Sequence, residues 1–200
     1  MKKLALFATM ILALALSASA SDMIDFTQMP PAQTPQPIPN PYHNLMWTAI
    51  DYVSVPLYES YLTTNGFDKG DGLNKGPEAQ VAIIGGPLCY DKSEPAYPEN
   101  EYPGTTDLDV CRGTISTTAN ALFAPDYLIA SEGWIQDGHQ FVTVEGYAAG
   151  KKIGSQKFDL GEDAQKFKLV LPDAWQGKVS ELVLWPSPGG SVVLYVMHVK

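Results

Sequence analysis

QFVTVEGYAAGKKIGSQKFDL, residues 140–160, decides how this chain folds. From Gln140 to Tyr147 the side chains fall into two sets at period two. Val142, Val144 and Gly146 form one set, and Phe141, Thr143, Glu145 and Tyr147 the other. Successive side chains of a strand point to opposite faces, so this is a strand with two distinct surfaces. Both hold some bulk, as in a strand covered on each side, and Gly146 marks a candidate bulge. Ala149-Gly150-Lys151-Lys152 reads as a turn, and Ile153–Leu160 as the returning strand of a hairpin.

The same signal continues on either side. Lys166–Leu171 alternates, Val179–Trp185 and Val192–Val199 are apolar runs, and Gly189-Gly190 is the turn between the last two. Upstream, Met23–Phe26 predicts a short first strand, and Leu45–Val55 is rich in aromatic and β-branched residues. Gln80–Ile84 is an apolar strand stopped by Gly85-Gly86. Thr114–Thr118, Ala121–Phe123 and Tyr127–Ala130 add further strand pieces. Asn65-Gly66, Lys69-Gly70 and Asp71-Gly72 punctuate the middle of the chain. Beyond the leader, no long window shows the 3.6-residue periodicity of a helix. Strands recurring about every 10–15 residues predict an all-β antiparallel sandwich of jelly-roll type.

The N-terminus reads as an export signal, residues 1–20. Lys2 and Lys3 precede an apolar run, Leu4–Leu16, and Ser17-Ala18-Ser19-Ala20 supplies the small residues of a cleavage site. The run is shorter than the roughly 20 residues that span a bilayer. A secreted, extracellular protein is therefore expected. Residues 21–41 form a proline-rich segment, with Pro30, Pro31, Pro35, Pro37, Pro39 and Pro41, expected to be extended and irregular. Residues 42–200 make up the sandwich domain.

Removing residues 1–20 takes away Lys2 and Lys3 and no acid, so the formal charge moves from −9 to −11. An acidic surface repels phosphate backbones and anionic lipid, which argues against nucleic-acid and membrane partners. The two cysteines, Cys89 and Cys111, are expected to form a disulfide outside the cell. Closing a loop of that length contributes on the order of 3 kcal/mol in the chain-entropy picture. No Asn-x-Ser/Thr sequon occurs.

The order of segments resembles a family of secreted β-sandwich proteins of fungi and bacteria, of the galactose-binding-like jelly-roll type. The matching pieces begin with Ile24-Asp25-Phe26 and the run from Pro39 to Trp47, PNPYHNLMW. They continue with Phe141–Tyr147, Lys152–Phe158, Val179–Trp185 and Leu194–Met197. The resemblance implies a jelly roll whose first and last strands lie together. Such folds often hold a calcium ion near the paired termini. Here the acids expected there are replaced by Thr27 and Gln28 at the start and by His198 and Val199 at the end, leaving Asp25. Calcium needs several oxygen ligands, so no metal and no cofactor is expected.

No catalytic motif is present. Asp91, Glu94, Glu99, Glu101, Asp107 and Asp109 cluster between the cysteines, interspersed with Tyr90, Tyr97, Tyr102 and prolines, as in a stiffened loop able to recognise a partner. His43, His139 and His198 are scattered, with nothing in the sequence to join them, and there is no Gly-x-Ser-x-Gly. Of the four tryptophans, Trp47 and Trp185 lie in apolar strands and are expected in the core. Trp134 and Trp175 lie nearer turns, and with Tyr97 and Tyr102 they are the candidate ligand-binding residues. The leading expectation is a secreted, non-catalytic binding module for an extracellular or cell-wall carbohydrate, a neutral glycan given the acidic charge. The alternatives are an effector-type protein acting on a host or cell-surface protein, and a glycoside hydrolase with an unrecognised carboxylate pair.

Overall fold

The computed structural model describes residues 21–32, 34–54, 80–85, 112–133, 140–161, 166–187 and 190–200. Among these it is all-β. The first strands are β1 (Asp22–Asp25), β2 (Gln36–Pro37), β3 (Leu45–Thr48), β4 (Asp51–Ser54) and β5 (Gln80–Gly85). Then come β6 (Gly113–Thr117), β7 (Pro125–Glu132), β8 (Gln140–Ala148) and β9 (Lys151–Gly161). The last are β10 (Phe167–Val170), β11 (Glu181–Pro186) and β12 (Ser191–Val199). They form two antiparallel sheets. One runs β10-β7-β12-β5-β4-β2 with β1 also on β12, and the other runs β3-β6-β11-β8-β9.

The long strand β12 organises the larger sheet. β7 pairs along one of its edges. The other edge is shared end to end, with Ser191–Leu194 taken by β5 and Val196–Val199 by β1. The first and last strands are therefore neighbours. The proline-rich stretch belongs to the sandwich: β2 closes the sheet edge on β4, where the missing proline N–H is tolerated. Ile24, Phe26, Met29, Ala32 and Ile38 from residues 21–41 are all buried.

One core lies between the sheets. Leu128, Ala130, Leu194, Met197, Ala82 and Ile84 face it from the larger sheet, and Ile115, Val142, Val144, Leu182 and Leu184 from the smaller. Each fully buried apolar side chain contributes on the order of 1.5–3 kcal/mol. Trp47 sits there as expected, its indole N–H donating to the Tyr42 carbonyl at 3.0 Å and its ring edge-on to Phe26. A second apolar cluster, Val53, Val81, Val193, Tyr195 and Val196, lies on the outer face of the larger sheet. A register shift between Leu194 and Val196 places Tyr195 in a bulge, so Tyr195 and Val196 both turn to that face.

Within the aromatic and β-branched stretch from Leu45, Ala49 takes φ 53° and the chain turns a corner, sending β3 to one sheet and β4 to the other. One expectation is corrected: Ala121–Phe123 is not a strand. A 3₁₀ turn at Thr118–Asn120 follows β6, and Phe123 makes only a single bridge to Val179. The hairpin of residues 140–160 is observed, with Ala149 and Gly150 at φ 49° and 76° as a type I′ turn requires.

Candidate functional site

Strand β8 alternates buried and half-buried along its length. Its buried set, Val142, Val144 and Gly146, faces the core. Its other set, Phe141, Thr143, Glu145 and Tyr147, lies on the outer face of the five-stranded sheet, where β11 adds Val183 and Trp185. The pairing register fixes the rows: Lys157–Thr143–Trp185, then Ser155–Glu145–Val183–Thr114, then Lys152–Tyr147–Glu181–Ser116.

Glu145 is the centre of this face, its side chain 14 % exposed. One oxygen, Oε2, accepts from the Tyr147 hydroxyl at 2.7 Å and from the Trp185 indole N–H at 3.2 Å. Oε1 takes the Lys152 ammonium. Burial pushes the Glu145 carboxyl upward, but the hydrogen bonds from Lys152, Tyr147 and Trp185 outweigh it and hold the group below the ordinary carboxylate range. The same contact raises Tyr147, whose proton is held by the carboxylate. Cations approach the rings as well: the Arg112 guanidinium lies 5.2 Å from the Trp185 ring centre and the Lys157 ammonium 3.8 Å from that of Phe141. The result is a surface on which two half-buried aromatic rings, Tyr147 and Trp185, meet one ionised carboxylate, with Trp185 pinned by its N–H and Phe141 further along the same face.

The two tryptophans exchange the roles expected of them. Trp175, expected as an exposed ligand-binding ring, is 4 % exposed and part of the main core. The 3₁₀ turn Asp173–Trp175 folds it under the smaller sheet, onto two glycines that pair across β8 and β9, Gly146 and Gly154. A Cβ on Gly146 would come 3.1 Å from the indole, and one on Gly154 2.7 Å from its Nε1. The missing side chains make the slot that receives the ring. Trp185, expected in the core, is half-buried on the outer face, because Leu182 and Leu184 take the inward positions of β11. The period-two pattern of Leu182-Val183-Leu184-Trp185 is the signal that could have found it.

Trp134, Tyr97 and Tyr102 lie outside the described residues, as do Cys89, Cys111 and the acids between them. Near the N-terminus, Asp25 Oδ1 accepts from the Thr27 N–H and hydroxyl at 3.0 and 2.6 Å. Among the described residues no group of three His, Cys, Asp or Glu side chains is placed to hold a metal ion, and no helix is long and apolar enough to cross a membrane. Comparison with protein-family models and with curated proteins finds no match to the chain. The likeness to galactose-binding-like proteins thus rests on the quoted segments alone.

Proposed function

We propose that this protein is a secreted binding module that recognises a neutral extracellular or cell-wall glycan through the outer face of its five-stranded sheet. The observation that carries this reading is the meeting of Tyr147 and Trp185 at Glu145, with Phe141 further along the same outer face. Aromatic faces cover the apolar C–H surfaces of sugar rings, and a fixed carboxylate accepts from sugar hydroxyls. Holding Trp185 by its N–H lowers the entropy lost when a ligand stacks on it. Extracellular placement is supported by the leader-like residues 1–20. The galactose-binding-like jelly roll is supported by the pairing of the first strand with the last.

The test is titration of the protein against a panel of neutral polysaccharides and oligosaccharides, with the Trp185→Ala and Glu145→Gln variants and circular dichroism to confirm folding. Loss of the Trp185 ring should weaken binding by about 1–3 kcal/mol, the scale of burying an apolar side chain. Absence of binding to every glycan would overturn the reading. Binding unchanged in both variants would remove the site from this face.

A further inference from the structure

The opposite side of the sandwich carries an arrangement of a different kind, independent of the glycan surface. On the outer face of the seven-stranded sheet, His198 Nε2 lies 2.7 Å from Ser21 Oγ, and His198 Nδ1 lies 2.9 Å from Asp126 Oδ2. These groups are separated by 177 and 72 positions in the chain. The pairing of β1 with β12 brings up the serine. A second irregularity in the β7–β12 ladder brings up the carboxylate: His198 pairs with Tyr127 and Val199 with Pro125, leaving Asp126 as the extra residue of a bulge. Bulges re-aim side chains, and they are over-represented beside active sites.

The polarity of this chain of hydrogen bonds follows from its end. Asp126 also takes the Lys200 ammonium at 2.6 Å. Lys200 holds its carboxyl below the ordinary range against a smaller opposing effect of burial, and His198 adds to the lowering. An ionised carboxylate only accepts, so Nδ1 carries the proton that it receives. In the neutral imidazole Nε2 is then a bare acceptor, and the Ser21 hydroxyl must donate to it. That order, hydroxyl to Nε2 and Nδ1 to carboxylate, is the one by which a serine nucleophile is activated. The imidazole is held in place: the Tyr127 ring stacks on it at 4.7 Å and 18°, and its side chain is only 16 % exposed. The Lys168 ammonium lies 3.9 Å from the Tyr127 ring centre. The register sets Met23, His198, Tyr127 and Val170 in one row across four strands. Its two ends are exposed apolar side chains, Met23 at 57 % and Val170 at 59 %.

We infer that Ser21, His198 and Asp126 form an acyl-transfer site for esters of apolar acids. Ser21 Oγ adds to the ester carbonyl carbon while its proton passes to His198 Nε2. The carbon–oxygen bond to the alcohol breaks, and the imidazolium returns that proton to the departing alkoxide, leaving an acyl ester on Ser21. Water then adds by the same route, releasing the acid and restoring the serine. Asp126 orients the imidazole and balances its transient charge, and Met23, next to His198 in the row, offers apolar surface to the acyl chain.

The full chain is treated with a fluorescent fluorophosphonate, which phosphonylates activated serines with loss of fluoride, and the modified peptide is located by mass spectrometry. The expected label is on Ser21. It is absent in Ser21→Ala, a change at an exposed position, and forms about 100-fold more slowly or worse in His198→Gln, with Asp126→Asn also slowed. p-Nitrophenyl butyrate should be hydrolysed faster than the acetate, with the difference narrowed in Met23→Ser. An unlabelled wild type, a label that persists in Ser21→Ala, or a rate unchanged in folded His198→Gln would overturn the inference.

Discussion

Replacing Gly154 by alanine tests how Trp175 is seated. Two effects oppose each other. Gly154 has no positive φ, so alanine restricts the unfolded chain and should stabilise by about 0.4–1 kcal/mol. Against this, the new Cβ would stand 2.7 Å from Trp175 Nε1 and 3.1 Å from both Cε2 and Cζ2. Ordinary contact between such atoms is about 3.5–4.0 Å, and the ring is buried in the main core, so it cannot swing into solvent. Overpacking of this kind costs about 1–3 kcal/mol. The steric effect wins, and the expected net loss is about 1–2 kcal/mol. For a domain of this size that lowers the melting temperature by roughly 2–8 °C. The control is Trp175→Leu, which removes Nε1, Cε2 and Cζ2, the atoms the methyl would strike. In that background Gly154→Ala should be neutral or slightly stabilising, giving a coupling of about 1–3 kcal/mol in a double-mutant cycle by thermal or urea unfolding. A single variant as stable as wild type would refute the slot, and so would a loss unchanged by Trp175→Leu.

Three further outcomes are expected. The folded Glu145 carboxyl lies below its ordinary value, so its contribution to stability is full above the ordinary carboxylate range and is lost as pH falls through the lowered value; acid unfolding of Glu145→Gln should begin from a lower stability and show a shallower pH dependence than wild type. Acrylamide quenching should reach Trp185 more readily than Trp47 or Trp175, so Trp185→Phe should reduce the quenchable fraction while Trp47→Phe should not. Protein recovered from the medium of exporting cells should begin at Ser21 and contain Cys89 bonded to Cys111; an intact residue 1–20 segment by N-terminal sequencing, or two free thiols by mass spectrometry, would contradict the secretion proposal or the disulfide respectively.

Much of the fold is legible in the sequence because a strand's alternation is local. The two faces of Gln140–Tyr147 can be read from eight consecutive residues, and they are the faces observed. The return through Ala149-Gly150 follows from turn chemistry that needs no distant partner. The jump from Leu45–Thr48 to Asp51–Ser54 is harder, since both halves are equally strand-like and only the sheets they join tell them apart. Tryptophan placement shows the boundary most clearly. Composition treats Trp175 as a turn residue and Trp185 as part of an apolar run. Yet Trp175 is buried because Gly146 and Gly154, on two other strands, leave room for it, and Trp185 is outward because Leu182 and Leu184 occupy the inward phase. The platform around Glu145 was present in the alternation, but which face would meet the core depended on the opposing sheet. The meeting of Ser21, His198 and Asp126 was beyond any local reading. It needs the first strand laid against the last and one extra residue in β7, and both are set by long-range pairing that only the folded chain decides.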